Sequence, residues 1–171
     1  MSDELVGQQA AVVHRRIDSP VAAVWSVLAD GWMYATWVVG TSRVRDVDAH
    51  WPAPGARIHH SFGLWPVVIN DTSEVLSCEP ERELTLKARG WPVGEAHVTI
   101  TVESTGTGET SVSIREDVVA GPALVVPRPV RQFAIASRNT EALRRLGYLA
   151  VGRAHDAMPG GPQRVAVPPV D

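Results

Sequence analysis

Two acids and a pair of histidines are the residues of this chain best suited to moving a proton. Glu116 recurs in step with Val112, Ile114 and Val118, so on a strand it shares a face with three aliphatic side chains. A buried carboxylate is costly unless paired. Three readings follow: Glu116 meets an arginine (Arg131 or Arg138), it faces a cavity, or it is protonated. Asp71 holds the same position among Val67, Ile69, Ser73 and Val75. A bulge in either strand would reverse its assignment. His59 and His60 are adjacent, so on a strand they point to opposite faces and cannot share one metal. One of the two faces inward, and His60 is the candidate acid or base near neutral pH. The alternative is a hydrogen-bonded or solvent-facing imidazole.

The tryptophans suggest a container for an apolar molecule. Trp51-Pro52, Trp65-Pro66 and Trp91-Pro92 each stand at a strand–loop junction, where the proline holds the preceding residue extended. Trp32 and Trp37 belong to a short helix expected to close over the open end of a sheet. Indoles around a cavity make an apolar mouth with N–H groups that can orient a ligand. The alternative is that they plug the ends of the core. Trp25 is expected in the core.

Other chemistries lack their residues. One cysteine, Cys78, permits neither an intramolecular disulfide nor a thiolate metal cluster and suits a reducing cytoplasm. The remaining histidines, His14, His50, His97 and His155, fall in different elements, so no metal site is expected. There is no Gly-x-Ser-x-Gly elbow, and Gly106-x-Gly108 reads as a hairpin turn, not a phosphate loop. No cofactor is expected. The net charge is -3 and the arginines are scattered, which argues against a nucleic-acid partner. No apolar run approaches the roughly 20 residues that cross a bilayer, so no stable membrane insertion is expected. A soluble, cytoplasmic protein follows as the expectation, monomeric or homodimeric.

The elements that must position these residues are legible. Residues 10–17 read as a first strand. Asp18-Ser19-Pro20 reads as a helix start, with Ser19 as cap and Pro20 at the first helical position. A second short helix covers Trp32 to Trp37. Six strands follow at Arg43–Ala49, Ala56–Phe62, Val67–Ser77, Glu83–Arg89, Glu95–Glu103 and Thr110–Val118, joined by tight turns as in an antiparallel meander. Pro129 to Ala150 then reads as one long amphipathic helix, with Ile135, Asn139, Leu143 and Leu146 along one stripe. The last residues, 153–171, are rich in Pro and Gly and read as a disordered tail to a domain at 8–152. The result is an α+β domain: a curved seven-stranded antiparallel sheet wrapped around a long C-terminal helix, with two short helices after the first strand.

The segment Ile17-Asp18-Ser19-Pro20-Val21-Ala22-Ala23-Val24-Trp25-Ser26-Val27-Leu28-Ala29-Asp30 resembles the opening of the START-like, polyketide cyclase/dehydrase (SRPBCC) superfamily. Gly31 to Gly40 resembles the short helix that follows it in actinobacterial members. Glu74-Val75-Leu76, Pro80 and Leu84-Thr85-Leu86 resemble the family's middle strands, and Arg138-Asn139 with Leu143 and Leu146 its closing helix. The resemblance implies the helix-grip fold. It carries no catalytic residue over, because the superfamily spans aromatase/cyclases, carriers and receptors without a shared catalytic motif.

Three functions compete. The first is binding of an apolar or aromatic, polyketide- or lipid-like molecule between sheet and helix, with Trp32, Trp37, Trp65, Trp91, Asp71, Glu116, Ile135 and Asn139 as candidate contacts. The second is a polyketide aromatase/cyclase or dehydratase in which Glu116 or His60 moves protons. The third is a protein-interaction module that keeps no ligand.

Overall fold

The structure, a computed structural model, describes residues 10–64, 66–90, 94–106 and 108–157. Strand β1 spans Ala11–Ile17, β2 Thr41–Val47, β3 Arg57–Leu64, β4 Val67–Glu79, β5 Glu83–Gly90, β6 Gly94–Ser104 and β7 Thr110–Ala120. Helix α1 spans Val21–Leu28, the single turn α2 Tyr34–Trp37, and α3 Arg128–Asp156. The strands form one antiparallel sheet in the order β1-β7-β6-β5-β4-β3-β2, so the first strand pairs with the last and the rest is a meander. The long helix fills the concave side. This is the helix-grip arrangement.

Inward parity along β5, β6 and β7 follows the alternation of the sequence. Leu84 pairs with Ile100 and Leu86 with Val98; Val102 pairs with Val112 and Ile100 with Ile114. Leu84, Leu86, Ile100, Val102, Val112 and Ile114 are buried with Val24, Val27 and Leu28 of α1 and with Leu143, Leu146 and Ala150 of α3. Register shifts fall in β2, in β4 between Val75 and Ser77, and at Glu95/Ala96. None lies between Asp71 and Ser73 or between Val112 and Glu116, so the parity of both acids stands.

Three local features differ from the sequence expectations. The second short helix is a 3-10 turn, Gly31–Met33, followed by the one-turn α2, with Asp30 Oδ1 accepting from the Trp32 amide at 3.2 Å. Ser19 makes no cap to α1, whose first residue is preceded by Pro20. Its buried hydroxyl donates instead to the Ala150 carbonyl at 3.2 Å, and its own carbonyl accepts from Thr110 Oγ1 at 2.7 Å. Ser19 thus ties the β1–α1 corner to both the closing helix and the sheet, a stronger demand on a buried hydroxyl than a solvent-facing cap. The long helix also runs to Asp156, four residues beyond the expected end of the domain at 152, and Arg153 bonds Asp30 at 2.6 Å. Residues 158–171, most of the expected tail, lie outside the described residues.

Candidate functional site

Between the sheet and the N-terminal half of α3 lies a cavity of about 600 Å³. Its size falls within the roughly 300–1,000 Å³ of small-molecule sites. The void follows from the sizes of the facing residues. Ala88 and Ala96 are cross-strand partners on the floor, and Ala134 and Ala142 line the cavity from the helix. Aliphatic side chains of Leu86, Val98, Ile100, Ile114 and Val118 pave the rest of the floor, with Phe62, Trp37, Val38 and Val39 at one side. Gly40, next to that wall, has φ +96, and a Cβ there would stand 2.2 Å from the Phe62 ring. Only glycine lets the chain turn this close to the aromatic wall.

Two polar clusters interrupt the apolar surface. In the first, the buried carboxylate of Glu116 reaches the Arg138 guanidinium and accepts from Asn139 Nδ2 at 3.0 Å. Both donors come from α3 and converge on one oxygen, Oε2. Glu116 is therefore both arginine-paired and in the cavity wall, two of the readings open from sequence, and of the two candidate arginines Arg138 is the partner. Arg131 donates to the Ala123 carbonyl at 3.0 Å instead.

The second cluster is a chain of buried groups: Tyr34 Oη lies 2.9 Å from Ser73 Oγ, which lies 3.1 Å from His60 Nε2. His60 is the inward histidine of its pair, and its ring packs 5.4 Å from that of Tyr34. His59 points to the other face, toward Asp48. Burial lowers the His60 pKa below the usual imidazole value, partly opposed by Asp71, so the ring is neutral near pH 7. Burial also raises the Tyr34 pKa, keeping its O–H in place. Among the described residues, His60 Nδ1 is a buried polar atom with no hydrogen-bond partner. A neutral imidazole, a hydroxyl and a phenol in sequence can pass a proton in either direction, since each donates and accepts.

The structure sorts the candidate residues clearly. Trp37, Glu116, Ile135 and Asn139 line the cavity, as does His60. Trp32 does not: it is 59% exposed and borders a separate shallow depression with Trp51, Asp30 and Asp48. The 3-10 turn carries it away from the face that Trp37 presents. Asp71 shares a sheet face with its cross-strand partner His60 but stops short of the cavity wall; its Oδ1 accepts from the Thr72 amide at 2.7 Å. Trp51 anchors the loop after β2 through Nε1 to the Leu28 carbonyl at 3.2 Å. Trp25 is buried in the core. Trp65 and Trp91 lie outside the described residues. Burial raises the Cys78 pKa, which disfavours its thiolate. No group of His, Cys, Asp or Glu among the described residues is arranged to hold a metal ion. Sequence reasoning missed Tyr34 and gave Ser73 no role. Both signals were present, since Tyr34 precedes Trp37 by three residues on one helical turn and Ser73 has the inward parity of Val75.

A sheet gripping a long helix over a cavity of this kind matches a known family. Residues 8–148 match the family described as Polyketide cyclase / dehydrase and lipid transport. The chain belongs to this family. Among solved structures, the Zhui aromatase/cyclase from Streptomyces sp. R1128 is 19% identical, with a TM-score of 0.67 over 89% of this chain and 98% of that one. The di-domain ARO/CYC StfQ from the steffimycin biosynthetic pathway is 11% identical, with a TM-score of 0.66 over 89% of this chain and 54% of that one. A protein from Mesorhizobium loti is 22% identical, with a TM-score of 0.62 over 84% and 97%. At such identities the likeness is one of fold. A comparison with curated proteins gave no match.

Proposed function

We propose that the protein binds an elongated apolar or aromatic small molecule, of polyketide or lipid type, in the cavity between the sheet and α3. The observation that carries this reading is the 600 Å³ space itself, walled by aliphatic and aromatic side chains and bearing two polar clusters. A space of this size left unfilled forfeits packing that the other end of the same core achieves. A ligand would restore those contacts. Glu116 with Arg138 and Asn139 would orient a hydroxyl or carbonyl at one point of the ligand, and the Tyr34–Ser73–His60 chain would orient one at a second. The reading places the protein in the cytoplasm, where a lone cysteine is at home.

The test uses freshly purified protein in native mass spectrometry, with identification of any small molecule released on denaturation. A planar hydrophobic dye should bind in the micromolar range, about -8 kcal/mol, and quench tryptophan fluorescence. Trp37→Ala should weaken that binding. A parent protein that carries no ligand and takes up no dye would remove the proposal.

The Tyr34–Ser73–His60 chain favours a second reading, a cyclase or dehydratase. A base would remove a proton from the carbon between two carbonyls, the carbanion would attack a second carbonyl carbon, and the new alkoxide would take up a proton. That attack closes the ring, and loss of the new hydroxyl with a proton from the neighbouring carbon, as water, would then place a double bond in it. His60 and Glu116 are the groups placed to carry those protons. Two of the similar folds are described as aromatase/cyclases, which supports this chemistry by analogy. Turnover of an offered polyketone, abolished by His60→Gln with dye binding retained, separates this reading from the first.

A further inference from the structure

The segment that runs from β7 into α3 beside the cavity carries an apolar surface without acids, which the cavity reading does not require. Between Asp117 and Glu141 the sequence has no acidic residue, yet it carries Arg128, Arg131 and Arg138 in a chain of net charge -3. Arg138 is taken up by Glu116. Arg131 donates to a neutral carbonyl, and Arg128 is exposed, so the charge of both is uncompensated within this segment. Around them the 3-10 turn Pro122–Val125 and the first turns of α3 expose large apolar side chains: Val125 is 86% exposed, Phe133 77% and Val130 60%. Val130 and Phe133 are three apart on the helix and share a face. Val126 and Val130 also line the cavity, so the exposed patch is continuous with the cavity's interior. Elsewhere in the cavity wall, β5 and β6 contribute Arg89 and Glu95, which pair with each other at 3.3 Å.

We propose that this edge docks the protein on an anionic lipid surface, with Val125, Val130 and Phe133 inserted among the acyl chains and Arg128 and Arg131 on the phosphates. Apolar side chains flanked by arginines, with acids excluded, are what such an interface requires. An isologous pair of this chain would set Arg128 and Arg131 against their own copies, so a second copy is a poor occupant. Docking here would set the mouth of an apolar cavity at the acyl layer, and a ligand would pass between the two without crossing water. The helix lies on the surface and does not span it; among the described residues no helix is long and apolar enough to cross a membrane.

Co-sedimentation of the full chain with vesicles tests the proposal. Binding should appear on phosphatidylcholine vesicles containing about one-third phosphatidylglycerol, be weak on phosphatidylcholine alone, and fall as salt rises. Arg128→Gln should weaken it roughly fivefold. Val125→Ser with Phe133→Ser should weaken it at least about tenfold. None of these three residues lines the cavity, so both variants should melt like the parent and take up dye in solution as the parent does. A parent that stays in the supernatant with anionic vesicles overturns the proposal, as does a double variant that binds like the parent. Self-association in sedimentation velocity, abolished by the double variant and without vesicle binding, would assign the surface to a second copy instead. Vesicle binding without dye uptake would reject the cavity reading and leave the docking surface standing.

Discussion

The two halves of α3 look alike in sequence and do different work. From Asn139 onward, Ala142, Leu143, Leu146, Gly147 and Ala150 are all buried, at the spacing of a helix laid on a sheet. Before Asn139 the helix carries Val130, Phe133, Ala134 and Ile135, yet none of them is buried. The difference lies in what faces each half. The inward residues of β5, β6 and β7 at the packed end are Leu84, Val102 and Val112; at the other end they are Ala88, Ala96 and Val118. A stripe of apolar residues on a helix states that the face is covered, and the size of the opposing residues decides whether it is covered by protein or by a ligand. One fold thereby holds a core and a container on a single helix.

The comparison is most directly broken by removing the same kind of side chain from each half. Leu146→Ala should cost about 2–5 kcal/mol, the loss of a fully buried leucine with a cavity left behind. Ile135→Ala, at the cavity wall, should cost less than about 1 kcal/mol, since the void already exists. Denaturant unfolding of both variants measures this, and equal losses would mean that the two halves are packed alike.

Enlarging a side chain should separate the halves in the opposite sense. Val112→Phe at the packed end should destabilise by about 1–3 kcal/mol through overpacking. Val98→Phe on the cavity floor has room to grow and should leave the melting temperature near the parent value. It should also reduce dye affinity by about tenfold, or roughly 1.4 kcal/mol. A Val98→Phe protein that unfolds like Val112→Phe would show that the space is not there to be filled.

Glu116 sits at the boundary between the halves. Glu116→Gln keeps an acceptor for Asn139 and leaves Arg138, which is 38% exposed, able to turn toward water. The expected loss is about 1–2 kcal/mol, that of a charge-assisted hydrogen bond with one partner near solvent. Dye or ligand affinity should change as well, because the carboxylate lines the cavity. A stability change with no effect on binding would make Glu116 a purely structural residue.

The fold was legible because its signals are periodic. Alternation set the inward parity of Val112, Ile114 and Glu116, and helical spacing set the stripe through Leu143 and Leu146, since each pattern reports a face repeatedly. The site was legible where it shared those patterns, at Glu116, Asn139 and Ile135. It was not legible where a single residue's direction depended on local geometry. Trp32 and Trp37 were equal candidates by composition; a 3-10 turn of three residues separates one from the cavity. Asp71 had the right parity and still falls short of the wall, because parity gives a face and not a position across it. The Tyr34–Ser73–His60 chain joins three elements: the pairing of β3 with β4 brings Ser73 beside His60, and Tyr34 reaches Ser73 from 39 residues away.

The smallest expected effect is the pH response of that chain. His60 is 4% exposed, and burial is the main reason its pKa lies below the ordinary imidazole value. The groups facing it work in both directions: Asp71 raises the pKa, while Arg45 and His59 lower it. In the unfolded chain His60 titrates near the ordinary value, so just below that pH the unfolded state binds more protons than the folded one. Stability from this residue is then fully present above the unfolded pKa and declines as pH falls toward the folded one. The sign is opposite to that of a histidine held by a carboxylate, which gains stability on acidification. His60→Gln removes the titration and offers an amide to Ser73. Comparing the two unfolding free energies from pH 7.5 down to 5 (the span over which an ordinary imidazole takes up its proton) isolates the residue, because the other groups titrate in both proteins. The parent should lose stability relative to the variant as pH falls, with a slope of at most one proton. A parent that gains stability relative to His60→Gln on acidification would mean that His60 is charged in the folded protein. The cavity wall would then hold a cation, and the proton chain through Ser73 to Tyr34 would run in one direction only.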